Sequence, residues 1–335
     1  MSGCISVVLA TFNGEKFLQK QLDSLLGQTV PPHEVIASDD NSSDSTRHML
    51  ARFRDDAPFP VRIIENSPGL GFRENFLQAS RYATGDWVAF CDQDDIWHRE
   101  KLARCLPYIN DPEITQIAHR ASLIDADDIE IGTFDQGIGE AAGTLREPLH
   151  YDVWGSFWGF SMLYRRELLD LVPIEQRFVD YIDPRHLIAH DRWVMFLAQS
   201  LGRTVELGER LVAYRQHGGN LYGGGGRARR MASREQSCSK NRSYIQATTQ
   251  MLEIVMQLPE AVREVFPLFD RAKALHVYAH ALQQVERRGD IYTSKRVMAL
   301  GKVVVLGACG GYRNAHNGLV RWKSIARDLQ IAMVS

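Results

Sequence analysis

No stretch of this sequence reaches the roughly 18 consecutive apolar residues that a bilayer-spanning helix needs. The first apolar run, Ile5 to Ala10, is too short for the core of a secretory leader and has no basic residue ahead of it. Cysteines are few and unpatterned: Cys4, Cys91, Cys105, Cys238 and Cys309 form no C-x-x-C pair, and their number is odd. That fits reduced, buried thiols in a cytoplasmic protein, not a disulfide framework. The histidines at 119, 150, 186, 276, 280 and 316 lack zinc-site spacing with those cysteines. Net charge is only −2, so no global field favours nucleic acid. No G-x-G-x-x-G follows the first apolar run, which argues against a dinucleotide fingerprint. What these absences leave is a globular chain of 335 residues, long enough for one large α/β domain with an extension or for two domains.

What the sequence does have is carboxylates at the ends of apolar runs. Val35-Ile36-Ala37-Ser38 is closed by Asp39-Asp40, and Trp87-Val88-Ala89-Phe90-Cys91 by Asp92-Gln93-Asp94-Asp95. Strand ends are where open α/β sheets bind ligands. Carboxylates packed this densely repel one another, a cost that a divalent cation or a ligand's hydrogen bonds offset. A solvated turn or helix caps would account for one such Asp, but less well for two clusters in series.

The first 120 residues alternate strand-like and helix-like patterns. Ile5 to Leu9, Val35 to Ser38, Val61 to Glu65 and Trp87 to Cys91 read as strands. Between them, Leu18, Leu22, Leu25 and Leu26 form one helical face, with Asn13 as the expected N-cap. Helices are also expected near Ser45, over Phe72 to Ala83 and over Leu102 to Ile109. Continuous apolar strands separated by helices predict a mostly parallel sheet covered on both faces. After residue 110 the alternation breaks. Ile114 to His119 reads as a strand, 125–150 as a long loop with a short hairpin, Asp191 to Leu201 as a helix, and Val205 to Leu207 and Leu211 to Tyr214 as two strands. Four glycines, Gly223 to Gly226, precede a segment rich in Arg and Lys and then a helical tail, whose last stripe, Leu319 to Met333, carries Arg321, Lys323 and Arg327. The expected division is therefore 1–225 and 226–335.

Five segments in order carry a resemblance: Val7 to Asn13; Ser38 to Asp44; Cys91-Asp92-Gln93-Asp94-Asp95-Ile96-Trp97; His190-Asp191-Arg192-Trp193; and Tyr214-Arg215-Gln216-His217-Gly218-Gly219-Asn220. Together the chain resembles the family 2 glycosyltransferases, inverting enzymes of GT-A type, over about residues 4 to 222. The third and fifth segments look most like the bacterial subset with many rhamnosyltransferases of surface polysaccharides. The resemblance implies a GT-A-like mostly parallel sheet flanked by helices, with an α-helical C-terminal extension. It implies a metal-dependent inverting transfer of a sugar, rhamnose by the subset, from a dTDP- or UDP-linked donor to a glycan or lipid-linked glycan hydroxyl. It also implies a divalent metal, Mg2+ or Mn2+, at an acidic DXD-type motif in which Asp94 and Asp95 divide the metal and ribose contacts, in either order, with Asp92 in support.

The chemistry of such a transfer asks for the same groups. The departing diphosphate is strongly anionic, and a hard cation held by carboxylates neutralises it. By the resemblance Asp40 bonds the pyrimidine edge, while Asp39 either shares the ligand or braces the loop; Ala10 and Phe12 frame the base. Inversion needs a base for the acceptor hydroxyl, and Asp191 is the candidate, with an N-cap role as its plainer alternative. His190 stands where the family usually has an acid; it orients Asp191 or touches the acceptor. Arg215 and His217 either close over the diphosphate or form a surface loop. Trp154 and Trp158 either stack on a sugar or belong to the core, and Gly159 to Tyr164 matches a segment the family places beside the donor sugar. The basic residues from Arg227 to Arg242 are a solvated face or a contact with an anionic membrane. Two other readings were weighed. A sugar nucleotidyltransferase should carry a glycine-rich basic loop where this chain has Ala10-Thr11-Phe12-Asn13. A non-catalytic carbohydrate-binding scaffold has no need of the intact acidic run and Asp191.

Overall fold

The computed structural model describes residues 3–218, 233–313 and 320–334. The glycine run 223–226, Gly219-Asn220, Arg227, Arg229, Arg230, His316, Leu319 and the expected boundary at 225/226 lie outside the described residues.

The chain opens with β1 (Ile5–Thr11), α1 (Leu18–Leu26), β2 (Glu34–Asp39), α2 (Thr46–Asp56), β3 (Val61–Glu65), α3 (Phe72–Ser80), β4 (Trp87–Asp92), β5 (Ile96–Trp97) and α4 (Lys101–Cys105). It continues with β6 (Ile114–Ile124), β7 (Glu130–Phe134), β8 (Thr144–Arg146), β9 (Met162–Arg165), α5 (His190–Leu201) and β10 (Arg203–Arg215). The remaining elements are helices: α6 (Arg234–Gln257), α7 (Val262–Val265), α8 (Arg271–Thr293), α9 (Arg296–Ala308) and α10 (Trp322–Val334).

One sheet runs in the order β3-β2-β1-β4-β9-β6-β10-β5, with β7 on β6 and β8 on β10. The pairs β3-β2, β2-β1, β1-β4 and β6-β10 are parallel, while β9 runs against both of its neighbours. The two-residue period of the strands assigns their faces. Val7, Leu9, Val35, Ala37, Ala89 and Cys91 enter one core with α1, α2 and α4. Val8, Ile36, Val88 and Phe90 enter the other, with α3 and α5. The fold is the expected α/β, GT-A-like one with a helical C-terminal region; its sheet, expected to be mostly parallel, is mixed, because β5, β7, β8 and β9 all join it antiparallel.

Three local readings change. Asn13 does not cap α1, which starts at Leu18; its backbone is left-handed (φ 47°) and its side chain accepts the Ser43 N–H instead. The strands expected at 205–207 and 211–214 are a single strand, β10, with a register irregularity between Leu207 and Val212. Within 125–150, β7 and β8 do not pair with each other but add to β6 and β10.

The helical tail does not stand apart. Met251 and Val255 of α6, Phe266 beyond α7 and Tyr278 of α8 lie in the same core as Trp193 and Phe196 of α5. Tyr278 sits 5.4 Å from the Phe196 ring, and its hydroxyl is 2.8 Å from that of Ser200. The local signals that start these helices are strong: Ser233 and Gln236 form a reciprocal capping box for α6, and Asp270 caps α8. The end of α8, with α9 and α10, makes a second, smaller cluster around Tyr292, Val303 and Ile331.

Candidate active site

Winding reverses between β1 and β4. From β1 the chain adds β2 and β3 on one side and then returns to place β4 on the other, which opens a crevice at the carboxyl ends of these strands. Register fixes what meets there: Ala10 lies between Ser38 and Asp92, and Thr11 opposite Asp39. The loops after β1 and β2 are stitched together. Ser42 Oγ accepts the Asn13 N–H and Thr46 Oγ1 the Gly14 N–H, each at 2.8 Å, while Asp44 accepts the Glu15 N–H at 3.0 Å.

Asp39 is fully buried and already committed: its oxygens accept from Thr11 Oγ1, the Ser42 N–H and hydroxyl, and Arg47 Nε at 2.9 Å. Of the two roles expected for it, this is the brace. Asp40 accepts the N–H groups of Leu70 and Gly71 at 2.6 and 2.7 Å, which pins the loop entering α3 across the crevice wall. A carboxylate has about four lone-pair sites, so Asp40 retains acceptor capacity. Phe12 is 55% exposed at the rim, which is not the core position that was its alternative.

A two-point clamp ties Phe12 to the acidic run: Gln93 Oε1 accepts the Phe12 N–H at 2.8 Å, and Gln93 Nε2 donates to the Phe12 carbonyl at 3.0 Å. Gly14 is required beneath it, since a Cβ there would stand 2.3 Å from Gln93 Oε1. Of the acids themselves, Asp92 is half-buried, and its carboxyl is pushed up to about 7 by loss of water and by the charges of Asp94 and Asp191. Asp94 is 2.8 Å from His217 Nε2. Asp95 is fully enclosed; Oδ1 accepts the Arg215 N–H at 3.0 Å and Oδ2 is buried with no hydrogen-bond partner, so burial and its acidic neighbours drive its pKa well upward.

Arg215 is not a surface lid. It is completely buried, donating to the carbonyls of Asp94 (2.7 Å) and Asp125 (2.9 Å), paired with Asp128, and lying over the Phe17 ring. It braces the acidic turn from below. His217 does face the carboxylates and packs 4.8 Å from Phe17. Sequence reasoning also missed Lys101, which is fully buried, donates to the Phe160 carbonyl at 2.7 Å, and places its ammonium over Trp97. Burial lowers its pKa to about 8, while Asp95 and Asp92 oppose that fall. It is the buried counter-charge of the acidic run. Its position four residues before the buried Cys105, on one helix face, was the available signal.

Asp191 lies in the first turn of α5, half-buried, with Oδ1 on the Arg192 N–H at 2.8 Å. The helix cap itself is Ala189, so the expected alternative of Asp191 as N-cap does not hold. Its charge is felt at Asp92, which brings α5 and β4 to one crevice. The His190 ring makes no hydrogen bond to Asp191; it is stacked on Phe76 at 4.2 Å and boxed by Phe90 and Phe72. Burial lowers its pKa to about 4, so the ring is neutral. Gly159 abuts it, since a Cβ there would lie 2.7 Å from His190 Nε2. Trp154 donates to Thr248 of α6, and Trp158 packs on Phe134 and Tyr214, so both belong to the packing.

No three His, Cys, Asp or Glu side chains among the described residues form a ready-made metal cluster. The mutual repulsion of Asp92, Asp94 and Asp191, together with the orphaned Asp95 oxygen, is nevertheless what a cation relieves. Mg2+ typically takes one or two carboxylates and completes its shell with substrate oxygens, so the donor set fits a divalent ion with Asp94 and Asp92 as its accessible ligands; Asp95, expected to share the metal and ribose contacts with Asp94, is instead fully enclosed beneath them.

Residues 6–172 match the family described as glycosyl transferase family 2. An uncharacterized glycosyltransferase of Nostoc sp. is 31% identical over 229 residues, covering 64% of this chain and 66% of its own. The UDP-Glc:alpha-D-GlcNAc-diphosphoundecaprenol beta-1,3-glucosyltransferase WfgD of Escherichia coli is 33% identical over 98 residues, 29% of this chain and 38% of its own. The matches thus span less than two thirds of either relative. Among solved structures, Staphylococcus aureus TarS 1–349 bound to UDP superposes with a TM-score of 0.58 at 16% identity, covering 98% of this chain and 89% of that one.

Proposed function

We propose, for a chain whose residues 6–172 form a family 2 glycosyltransferase domain in a GT-A-like fold, that it transfers a sugar from a pyrimidine nucleoside diphosphate to a glycan hydroxyl with inversion. The observation that carries this reading is the meeting of β4 and α5 at one crevice: the Phe90 and His190 rings lie 4.8 Å apart, Asp92 and Asp94 follow the first and Asp191 the second, and the exposed Phe12 stands at the rim. The base lies against Phe12 and Ala10, its edge toward Asp40. A divalent ion, when bound, neutralises the charge that develops on the leaving diphosphate. Asp94 and Asp92 would hold that ion, and His217, 2.8 Å from Asp94, would stand beside the phosphates. Asp191, at the open mouth of α5, takes the proton from the acceptor hydroxyl. Buried Arg215 and Lys101 keep the acidic run in place. The division at residues 225/226 belongs to this reading, with the donor site wholly in 1–225.

Donor class is supported by the UDP complex of TarS, and rhamnose by the two sequence segments of the rhamnosyltransferase-like subset. A saccharide on a lipid diphosphate, as WfgD's name states for that protein, is the acceptor class. Such an acceptor sits at an anionic membrane. No helix among the described residues is long and apolar enough to cross one. On α9, however, Val297, Met298, Val304 and Val305 are 60–82% exposed along one face beside Lys295 and Arg296, a composition suited to lying on that surface.

The test is a screen of UDP- and dTDP-linked sugars, dTDP-rhamnose included, for metal-dependent nucleotide release, with Asp94→Asn and Asp191→Asn as controls. Full activity in both variants overturns the site. Flotation with anionic vesicles at low and high salt tests the membrane contact, and absence of binding at low salt removes it.

A further inference from the structure

Between the 152–155 loop and α6, α8 and α10 lies a cavity of about 720 Å³. Five cationic side chains line it, Lys240, Arg288, Arg321, Lys323 and Arg327, against one carboxylate, Asp152. Two of these cations are paired within the fold. Asp152 is taken by Arg321 at 2.9 Å, and Arg288 pairs at 2.8 Å with Asp328, which is fully buried outside the lining. Lys323 and Arg327, one turn apart on α10, add two positive charges across from Lys240 on α6. Burial holds the Arg321 pKa below its ordinary value; Asp152 opposes that fall and the charge of Arg288 adds to it. Like charges gathered in one concavity are the donor set for an anion, and the Trp154 and Tyr244 rings hold two of them in place, Arg321 at 4.8 Å and Lys240 at 5.9 Å from the ring centres. The volume is in the range of small-ligand sites.

The cavity is one aromatic layer from the proposed base. Trp154, in its wall, accepts from Tyr181 Oη at 2.6 Å. The Tyr181 ring is 4.8 Å from Tyr244, also in the wall, and carries the Arg192 guanidinium 5.3 Å above its centre. Arg192 follows Asp191 directly.

We propose that this cavity is a second anion site, separate from the donor crevice, that holds the phosphate or diphosphate ester of the acceptor while its sugar hydroxyl reaches Asp191. The acceptor role rests on the transfer reading above; the binding of the anion does not.

The experiment titrates inorganic pyrophosphate into the full chain in EDTA, which silences metal-dependent binding in the crevice. Wild type and Asp94→Asn should bind alike, and the double variant Lys323→Glu/Arg327→Glu at least tenfold more weakly. No binding by wild type, or equal binding by the double variant, overturns the site. If the double variant does not fold, Lys323→Gln/Arg327→Gln replaces it and should still lose severalfold. Competition separates the sources. A sugar on a short-chain prenyl diphosphate should displace pyrophosphate, and anionic phospholipid vesicles should not; displacement by vesicles alone makes this a headgroup site and overturns the acceptor role. In turnover, the double variant should raise KM for a diphosphate-bearing acceptor at least tenfold, with donor KM and kcat unchanged. A wild type that binds pyrophosphate but transfers no sugar would end the transfer reading and leave the anion site standing.

Discussion

The crevice at the strand ends and the cavity under α10 are electrostatic opposites built by different means. In the crevice, like charges are held by buried counter-charges: Lys101 and Arg215 lie beneath the acidic run, and Gln93 locks it to Phe12. In the cavity, positive charges on and beside the helices outnumber the acids, and Asp152 and Asp328 are already paired with Arg321 and Arg288. The first arrangement comes from strand register, which leaves little freedom. The second comes from helix packing, so its charge can change by single surface substitutions without disturbing a core. A site for a common donor group fits the former, and a site for a variable acceptor the latter.

Asp191→Asn should break the comparison most sharply. Transfer should fall by about two to four orders of magnitude while pyrophosphate binding in EDTA is unchanged, measured by initial rates and calorimetry. Arg215→Leu leaves the carbonyls of Asp94 and Asp125 without their donor, while Asp128 keeps Lys20. Unfolding in urea should show a loss of about 2–4 kcal/mol, with the cavity variants near wild type.

A third contrast is in pH. Buried His190 has a folded value of about 4 against an ordinary 6.5, so the unfolded chain takes up the proton first as pH falls. Its contribution is complete above pH 6.5, declines toward pH 4, and totals about 3 kcal/mol. His190→Phe should flatten that part of the stability profile. Gln93→Ala frees the Phe12 loop and should raise donor KM by about tenfold, roughly the worth of two hydrogen bonds, with acceptor KM unmoved. The opposite sign is expected at Asp92, whose value near 7 lies above its ordinary 3.8, so the native state loses stability as pH rises between them. Asp92→Asn should remove that loss, about 4 kcal/mol above pH 7 for a shift of this size, read by thermal melting of the metal-free protein at pH 8, while abolishing metal-dependent donor turnover.

The parts that were legible in the sequence share one property: their signal is local. Val7 to Leu9, Val35 to Ala37 and Val88 to Phe90 are continuous apolar runs, so the strands and the acids that end them could be read off directly. The misread parts depend on distant partners. Asn13 looked like a cap because its bond to Ser43 joins two loops. Arg215 looked like a mobile cation because nothing nearby in the chain tells of Asp125, Asp128 and Phe17. Lys101 was passed over because a lysine on a short helix is ordinarily solvated. The 203–215 strand was split in two because its irregularity at Gly208-Glu209 interrupts the alternation.

The core that α6 and α8 share with α5 bears on how this protein can be rearranged. A chimaera that grafts another enzyme's tail after residue 225 would strip the cover from Trp193 and Phe196, on the very helix that presents Asp191. The helical tail is therefore not a detachable module: exchanging it means carrying α5 along, whereas point substitutions on the outer helices leave this shared core intact.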